Sequence, residues 1–165
     1  MKNLLFIACF CAVSFANAQA FKGKGDQKFQ IGASFQEYGT GINGTYDFGV
    51  GENISLGLST TYVLGVDDNN SIGADFGDRF DIKARFNANL SSVIGIRELD
   101  VYPGLSFGLN NFGGHVGGRY FFSHGFGVYA EAGFPIARYD TGNLTAAEEL
   151  NNQFVFNIGA SFNLN

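Results

Sequence analysis

His115 and Glu131 are the residues of this chain best suited to catalysis. A histidine oriented by a carboxylate takes a proton from a neighbouring hydroxyl, which is the arrangement of a hydrolase. Both fall on the same alternate set of residues in successive extended stretches. The next same-face position after His115 is Gly117, which supplies no hydroxyl. The set is incomplete, so no catalytic residue is assigned, and His115 reads as a histidine satisfied in an interior. His124 falls in a turn. Asp67, Asp68, Asn69, Asn70, Ser71, Asp75 and Asp78 form an oxygen-rich run of the kind calcium prefers. Its sixth position is Ile72, where a calcium loop needs glycine, and its flanks are extended, so it reads as a solvated loop. Cys9 and Cys11 are the only cysteines. No metal or cofactor is expected.

The remaining chemistry is charge. Lys28, Lys83, Arg85 and Arg119 share one alternate set with Asp47, Asp81, Asp100 and Glu131. Charges gathered on one face of a closed sheet must pair, because an isolated buried charge is costly. Asp81, Lys83, Arg85, His115, Arg119 and Glu131 are therefore the candidate cluster, a structural plug of ion pairs. The sharper alternative is an ion or proton path. If the sixth and seventh strands fold back at Ser123, His124 and Gly125, Arg119 and Glu131 meet diagonally. Arg85 would join them across the interior.

The elements that hold these residues are strands. Residues 154–165 put Phe154, Phe156, Ile158, Ala160, Phe162 and Leu164 on one side. Asn157, Gly159, Ser161 and Asn163 lie on the other. Period-two alternation is the mark of a strand with one apolar and one polar face. It recurs near residues 28–36, 40–49, 53–66, 79–90, 99–110, 115–122 and 126–137. In the fourth of these, Phe80, Ile82, Ala84, Phe86 and Ala88 oppose Asp81, Lys83, Arg85 and Asn87. Pro103, which has no N–H, predicts a bulge or break in the fifth. Residues 111–114 read as a tight turn. Thr145 and Glu148 match a capping box, which predicts one helical turn over 145–150. Outward aromatics gather at both strand ends: Phe29, Tyr46, Phe48, Tyr120, Phe122, Phe126 and Phe162 at one, Phe35, Tyr62, Phe80, Phe134 and Phe154 at the other. The expectation is an all-β, eight-stranded antiparallel up-and-down transmembrane β-barrel, apolar outside and polar within.

The N-terminus reads as an export signal: Lys2, an apolar run over residues 4–13, then Ala16, Asn17 and Ala18 as a cleavage site. Residues 1–18 are the signal peptide, 19–27 a periplasmic leader and 28–165 the barrel. Cleavage removes both cysteines and leaves roughly 147 residues, one domain by ordinary domain sizes. It takes away only Lys2, so the formal net charge moves from -5 to about -6. An acidic chain with no basic cluster is a poor nucleic-acid binder. Charged residues are 15%, against about 25% in ordinary globular chains. That deficit, with abundant glycine and phenylalanine, suits a curved sheet facing lipid.

With an export signal, about eight alternating strands and an aromatic-bearing last strand, the chain resembles the small outer-membrane β-barrels of the OmpA-transmembrane-domain and OmpX type. The stretch from Phe112 through Gly113, Gly114, His115, Val116, Gly117, Gly118 and Arg119 to Tyr120, with Val128 to Phe134, is similar to uncharacterised barrels of Bacteroidetes-type bacteria. The resemblance implies an outer-membrane location, surrounding lipid, insertion by the barrel assembly machinery, and a monomer. Such barrels often end on Phe; this chain ends Phe162, Asn163, Leu164, Asn165. Lipid-A deacylating barrels carry a serine two residues from their histidine, where Gly117 stands here. The expected role is structural or surface-interacting and non-enzymatic, with loops 67–78 and 138–150 offered to partners. The alternatives are a lipid-modifying enzyme using His115 and Glu131, a small-solute channel, or a soluble lipocalin-like carrier, which would need the faces reversed.

Overall fold

The computed structural model describes residues 19–66, 74–142 and 144–165. The export signal and most of the oxygen-rich run, residues 67–73, lie outside the described residues. Eight strands follow the alternation: β1 (Gln27–Gln36), β2 (Gly39–Gly49), β3 (Ile54–Val66), β4 (Phe80–Ala88), β5 (Leu99–Gly108), β6 (Asn111–Phe121), β7 (Phe126–Arg138) and β8 (Val155–Asn163). Each pairs antiparallel with its sequence neighbours, and β1 pairs with β8 to close a barrel. Two short helices sit between strands, α1 (Phe76–Arg79) and α2 (Ser91–Ile94). Among the described residues no helix is long and apolar enough to cross a membrane, which says nothing about strands.

The two faces fall where the alternation puts them. Ile42, Leu58, Ile82, Phe86, Val116 and Ile158 point outward and are exposed, Leu58 at 54%. Gln30, Asn43, Thr45, Asp81, Arg85, Asn87, Asp100, Arg119 and Glu131 point inward and are buried. A soluble barrel buries its oil; this one buries its charges.

One expectation is corrected and another is met in part. Residues 111–114 are not a turn but the start of β6, and the turn is Leu109 and Asn110. Gly113 and Gly114 pair with Pro135 and Phe134 of β7. Glycine pulled the reading toward a turn, yet glycines also belong in a tightly curved wall. The bulge or break expected at Pro103 is met as a break on one side: Pro103 pairs with Val116 of β6 in unbroken register, without a bulge. Only the β4 ladder stops short of it, at Asn87 opposite Gly104. The register shift falls beside the other proline, where Gly113 faces Pro135 and Ile136 is the extra residue. The last β8 pair, Gly133 with Val155, lies before Pro135, so its missing N–H breaks no β8 bond.

The barrel is shut at both ends. At the end carrying the termini, residues 19–26 fold back beneath the wall. Ala20 N donates to Arg97 O at 2.7 Å and Gly25 N to Gly49 O at 2.7 Å. Ala20 packs on Phe121 with both fully buried, and Phe21 is buried beside them in sequence. Lys22 Nζ donates to Asn165 O at 2.6 Å, and Asn165 Nδ2 to Gly25 O at 2.7 Å. Residues 19–26 thus form a stopper that is also bonded to Asn165. At the loop end, Asn151 N donates to Gln36 Oε1 at 2.7 Å, and Asn151 Nδ2 to the carbonyls of Asp78 and Arg79 at 3.2 Å each. Asn111 Nδ2 donates to Asn151 O and Asn152 Oδ1 at 3.0 Å. Leu150 is wholly buried under this cap.

Candidate functional site

The lumen is a column of paired charges. Nearest the terminal end, Lys28 Nζ meets Asp26 at 2.5 Å, both buried. Above them Arg119 donates to Asp100 Oδ2 from Nε at 3.1 Å and from Nη2 at 2.8 Å, and to Asn89 Oδ1 at 2.7 Å. Asp100 Oδ1 accepts the Ser91 N–H at 3.0 Å, so α2 is fixed to the same carboxylate. Asp47 joins the two halves: its carboxylate lies 3.5 Å from Arg119 Nη1 and 3.2 Å from Arg85 Nε. Arg85 grips Glu131 bidentately, at 3.3 and 2.6 Å. Bidentate charge-assisted bonds fix orientation as well as charge.

Tyr102 stands between the arginines. Arg119 Cζ is 4.7 Å and Arg85 Cζ 5.7 Å from its ring centroid, a double cation–π arrangement. Its hydroxyl accepts from Gln30 Nε2 at 3.3 Å. The ring fits because Gly117 is opposite it: a Cβ there would run into the ring atoms of Tyr102. His115 meets Asn87 Oδ1 through Nε2 at 2.7 Å. Asn87 Oδ1 also accepts from Arg85 Nε at 3.3 Å, so the histidine Nε2 is the donor.

Above the Arg85–Glu131 pair is a cavity of about 40 Å³, lined in part by Asn43, Asp81, Lys83, His115, Glu131 and Asn157. Lys83 Nζ reaches Asp81 Oδ2 at 3.2 Å. Asn43 Nδ2 donates to Ser59 Oγ at 3.0 Å and Thr61 Oγ1 at 2.9 Å along the same wall.

The structure brings all of Asp81, Lys83, Arg85, His115, Arg119 and Glu131 into one lumen, but pairs them differently from the expectation. Arg119 and Glu131 do not bond; Tyr129, not Glu131, faces Arg119 across β6 and β7. Arg119 instead bonds Asp100, directly opposite it on β5, and touches Asp47 across the lumen; Arg85 reaches across the interior to Glu131, as expected. His115 lies diagonal to Glu131 in that register and bonds Asn87. Sequence reasoning missed Asp26, the bridging place of Asp47, and the wedge of Tyr102. The one available signal was the large inward Tyr102 in a set otherwise small, with glycines abundant on the next strand.

Of the acids in the oxygen-rich run, only Asp75 and Asp78 lie among the described residues. Asp75 and Asp78 spend their carboxylates on capping α1: Asp75 Oδ1 accepts Gly77 N at 2.9 Å, and Asp78 Oδ2 accepts Asp75 N at 3.0 Å. Among the described residues no group of three His, Cys, Asp or Glu is placed to hold a metal. The Thr145–Glu148 box forms: Glu148 Oε2 accepts the Thr145 N–H at 2.8 Å and its hydroxyl at 2.9 Å. Those bonds hold the Glu148 carboxyl below its ordinary range. The segment makes one α-type bond, Glu149 N to Thr145 O, without a regular helix.

Residues 11–164 match the model of the Family of unknown function (DUF6646), and the chain belongs to that family. Among curated proteins and among solved structures nothing matches it.

Proposed function

We propose that this family member is an outer-membrane β-barrel of structural or surface-interacting role, exported through a cleaved signal peptide, with a lumen filled by ion pairs. One observation carries the reading: the outward residues of the strands are predominantly apolar and exposed, while the inward ones are mostly polar, charged or small and buried. In water such a surface would aggregate; in hydrocarbon it is the favoured one. The rings support it. Phe29, Phe162, Phe126, Phe122 and Tyr120 run ring to ring around the terminal end at centroid spacings of 5.4–6.4 Å. At the loop end Tyr62, Phe76 and Phe80 stack at 5.4–5.7 Å. Aromatic girdles of this kind sit at headgroup level.

The likeness to OmpA- and OmpX-type barrels is proposed on strand pattern alone. It would bring with it insertion by the assembly machinery, a monomeric state, and loop partners of unassigned chemistry. The carrier reading is disfavoured, since a lipocalin-like lumen would be apolar. The channel reading is disfavoured by the two caps and the charge column. The lipid-modifying reading lacks a serine beside His115, whose Nε2 is committed to Asn87.

Cell fractionation tests the proposal. The protein should sediment with the outer membrane and leave it only with detergent. Recovery in the soluble periplasmic fraction would remove the membrane reading. An altered lipid-A mass spectrum on deletion would restore the enzyme, and steady single-channel steps in a planar bilayer would restore the channel.

A further inference from the structure

The lumen charges do not balance. Among the described residues five acids point into it, Asp26, Asp47, Asp81, Asp100 and Glu131. Four cations answer them, Lys28, Lys83, Arg85 and Arg119. Arg85 and Arg119 are each shared between two carboxylates. With His115 neutral the column carries one negative charge too many, and an uncompensated buried charge costs several kcal/mol.

By contacts the surplus lies with Asp47, Asp100 and Glu131, which share two arginines, the Arg85–Glu131 pair forming the floor of the cavity; the unpartnered oxygens lie just above. Asp81 is 98% buried, and its Oδ2 faces Lys83 while Oδ1 has no hydrogen-bond partner. Asn157 is 94% buried, and its Oδ1 has none either. Both residues line the cavity of about 40 Å³ between the Arg85–Glu131 pair and the loop-end cap. A water needs about 10–15 Å³ by this kind of measure. The space is large enough for a few water-sized particles. Oxygen donors suit a hard cation. With a single uncommitted carboxylate oxygen and no third acid, a divalent ion would be under-ligated.

We propose that this cavity binds one small monovalent cation of sodium or potassium size, held between the free Asp81 oxygen and the Asn157 amide oxygen. The site stands on the lumen alone and does not depend on where the outer face lies. Lys83 competes with the ion for Asp81, so it tunes affinity. Arg85, Glu131, Asp47 and Lys83 are the charged groups around His115, and a proton on that imidazole is the rival means of balance.

The test is thermal unfolding of the full-length mature protein in detergent, at constant ionic strength, with choline replaced stepwise by sodium or potassium. The midpoint should rise by a few degrees and saturate. Asp81→Asn should abolish the dependence, and Lys83→Gln should lower the half-saturating concentration several-fold. Should a variant not fold, the wild type decides: crystals soaked in thallium(I) should show an anomalous peak between Asp81 and Asn157. Equal midpoints in choline and alkali salts would overturn the proposal. So would a cation response without that peak, a cavity holding water only, or a midpoint that follows pH through histidine titration and ignores the cation.

Discussion

At the scale of single residues, the lumen is a set of commitments that leave little slack. Arg85 is held by Glu131 through both terminal nitrogens, and its Nε faces Asp47 and Asn87. Replacing it with methionine strands two buried carboxylates. We expect Arg85→Met to cost about 3–5 kcal/mol, measured by chemical unfolding of the purified barrel; a cost below 1 kcal/mol would mean the pairs are ornamental. Tyr102 makes a different demand. Gly117→Ala puts a methyl where the ring lies and should cost about 1–3 kcal/mol by overpacking. The same change at Gly118, where an added Cβ meets little, should be close to neutral. The identities of the lumen residues were readable from alternation, because period two assigns a face without needing a partner. Their pairing was not. Which strand's arginine meets which acid depends on reach across the interior, and a sequence carries register between neighbours more clearly than contact across a barrel. Arg119 and Glu131 look adjacent on paper; in the fold Arg119 takes Asp100 and leaves Glu131 to Arg85.

At the scale of elements, the strands were legible and their connections less so. β1, β3 and β7 begin or end within a residue of where alternation placed them, whereas β6 starts at Asn111 because glycine in a curved wall reads like glycine in a turn. The hydrogen bonds Asn151 donates to Gln36 and to the Asp78 and Arg79 carbonyls, and the one it accepts from Asn111, could not be foreseen from composition, since amides in loops are ordinarily solvated. That cap has a pH dependence with a definite sign. The Glu148 carboxyl is depressed by its bonds from Thr145. Its contribution is therefore full above the unfolded value of about 4.3 and is lost as pH falls through the lower folded value. Amide protection at residues 145–152, taken relative to the intrinsic exchange rate at each pH, should hold at neutral pH and fall below about pH 4, while protection in β2 is unchanged. The leader makes a second element-scale prediction. Deleting residues 19–25 removes the bonds to Arg97, Gly49 and Asn165. The barrel should still fold, with faster amide exchange near Gly49 and Phe121 and a lower unfolding midpoint; an unchanged midpoint would mean the leader only rests there.

At the scale of the whole molecule, everything turns on one inversion: charge walled in, hydrocarbon displayed. The charge column fills the described lumen between the two caps, and the rings at either end mark a band between them. Arginine in place of Leu58, in that band, should cost about 2–4 kcal/mol in a lipid bilayer, and far less where the face meets water. The most direct measurement is carbene labelling by a photoactivated reagent dissolved in the acyl chains of bilayers holding the native protein, read residue by residue. Ile42, Leu58, Ile82 and Ile158 should carry the label, with Asn43, Lys83 and Asn157 bare. Label on Lys83 or Asn157, or none on the apolar stripe, would contradict the account at its root.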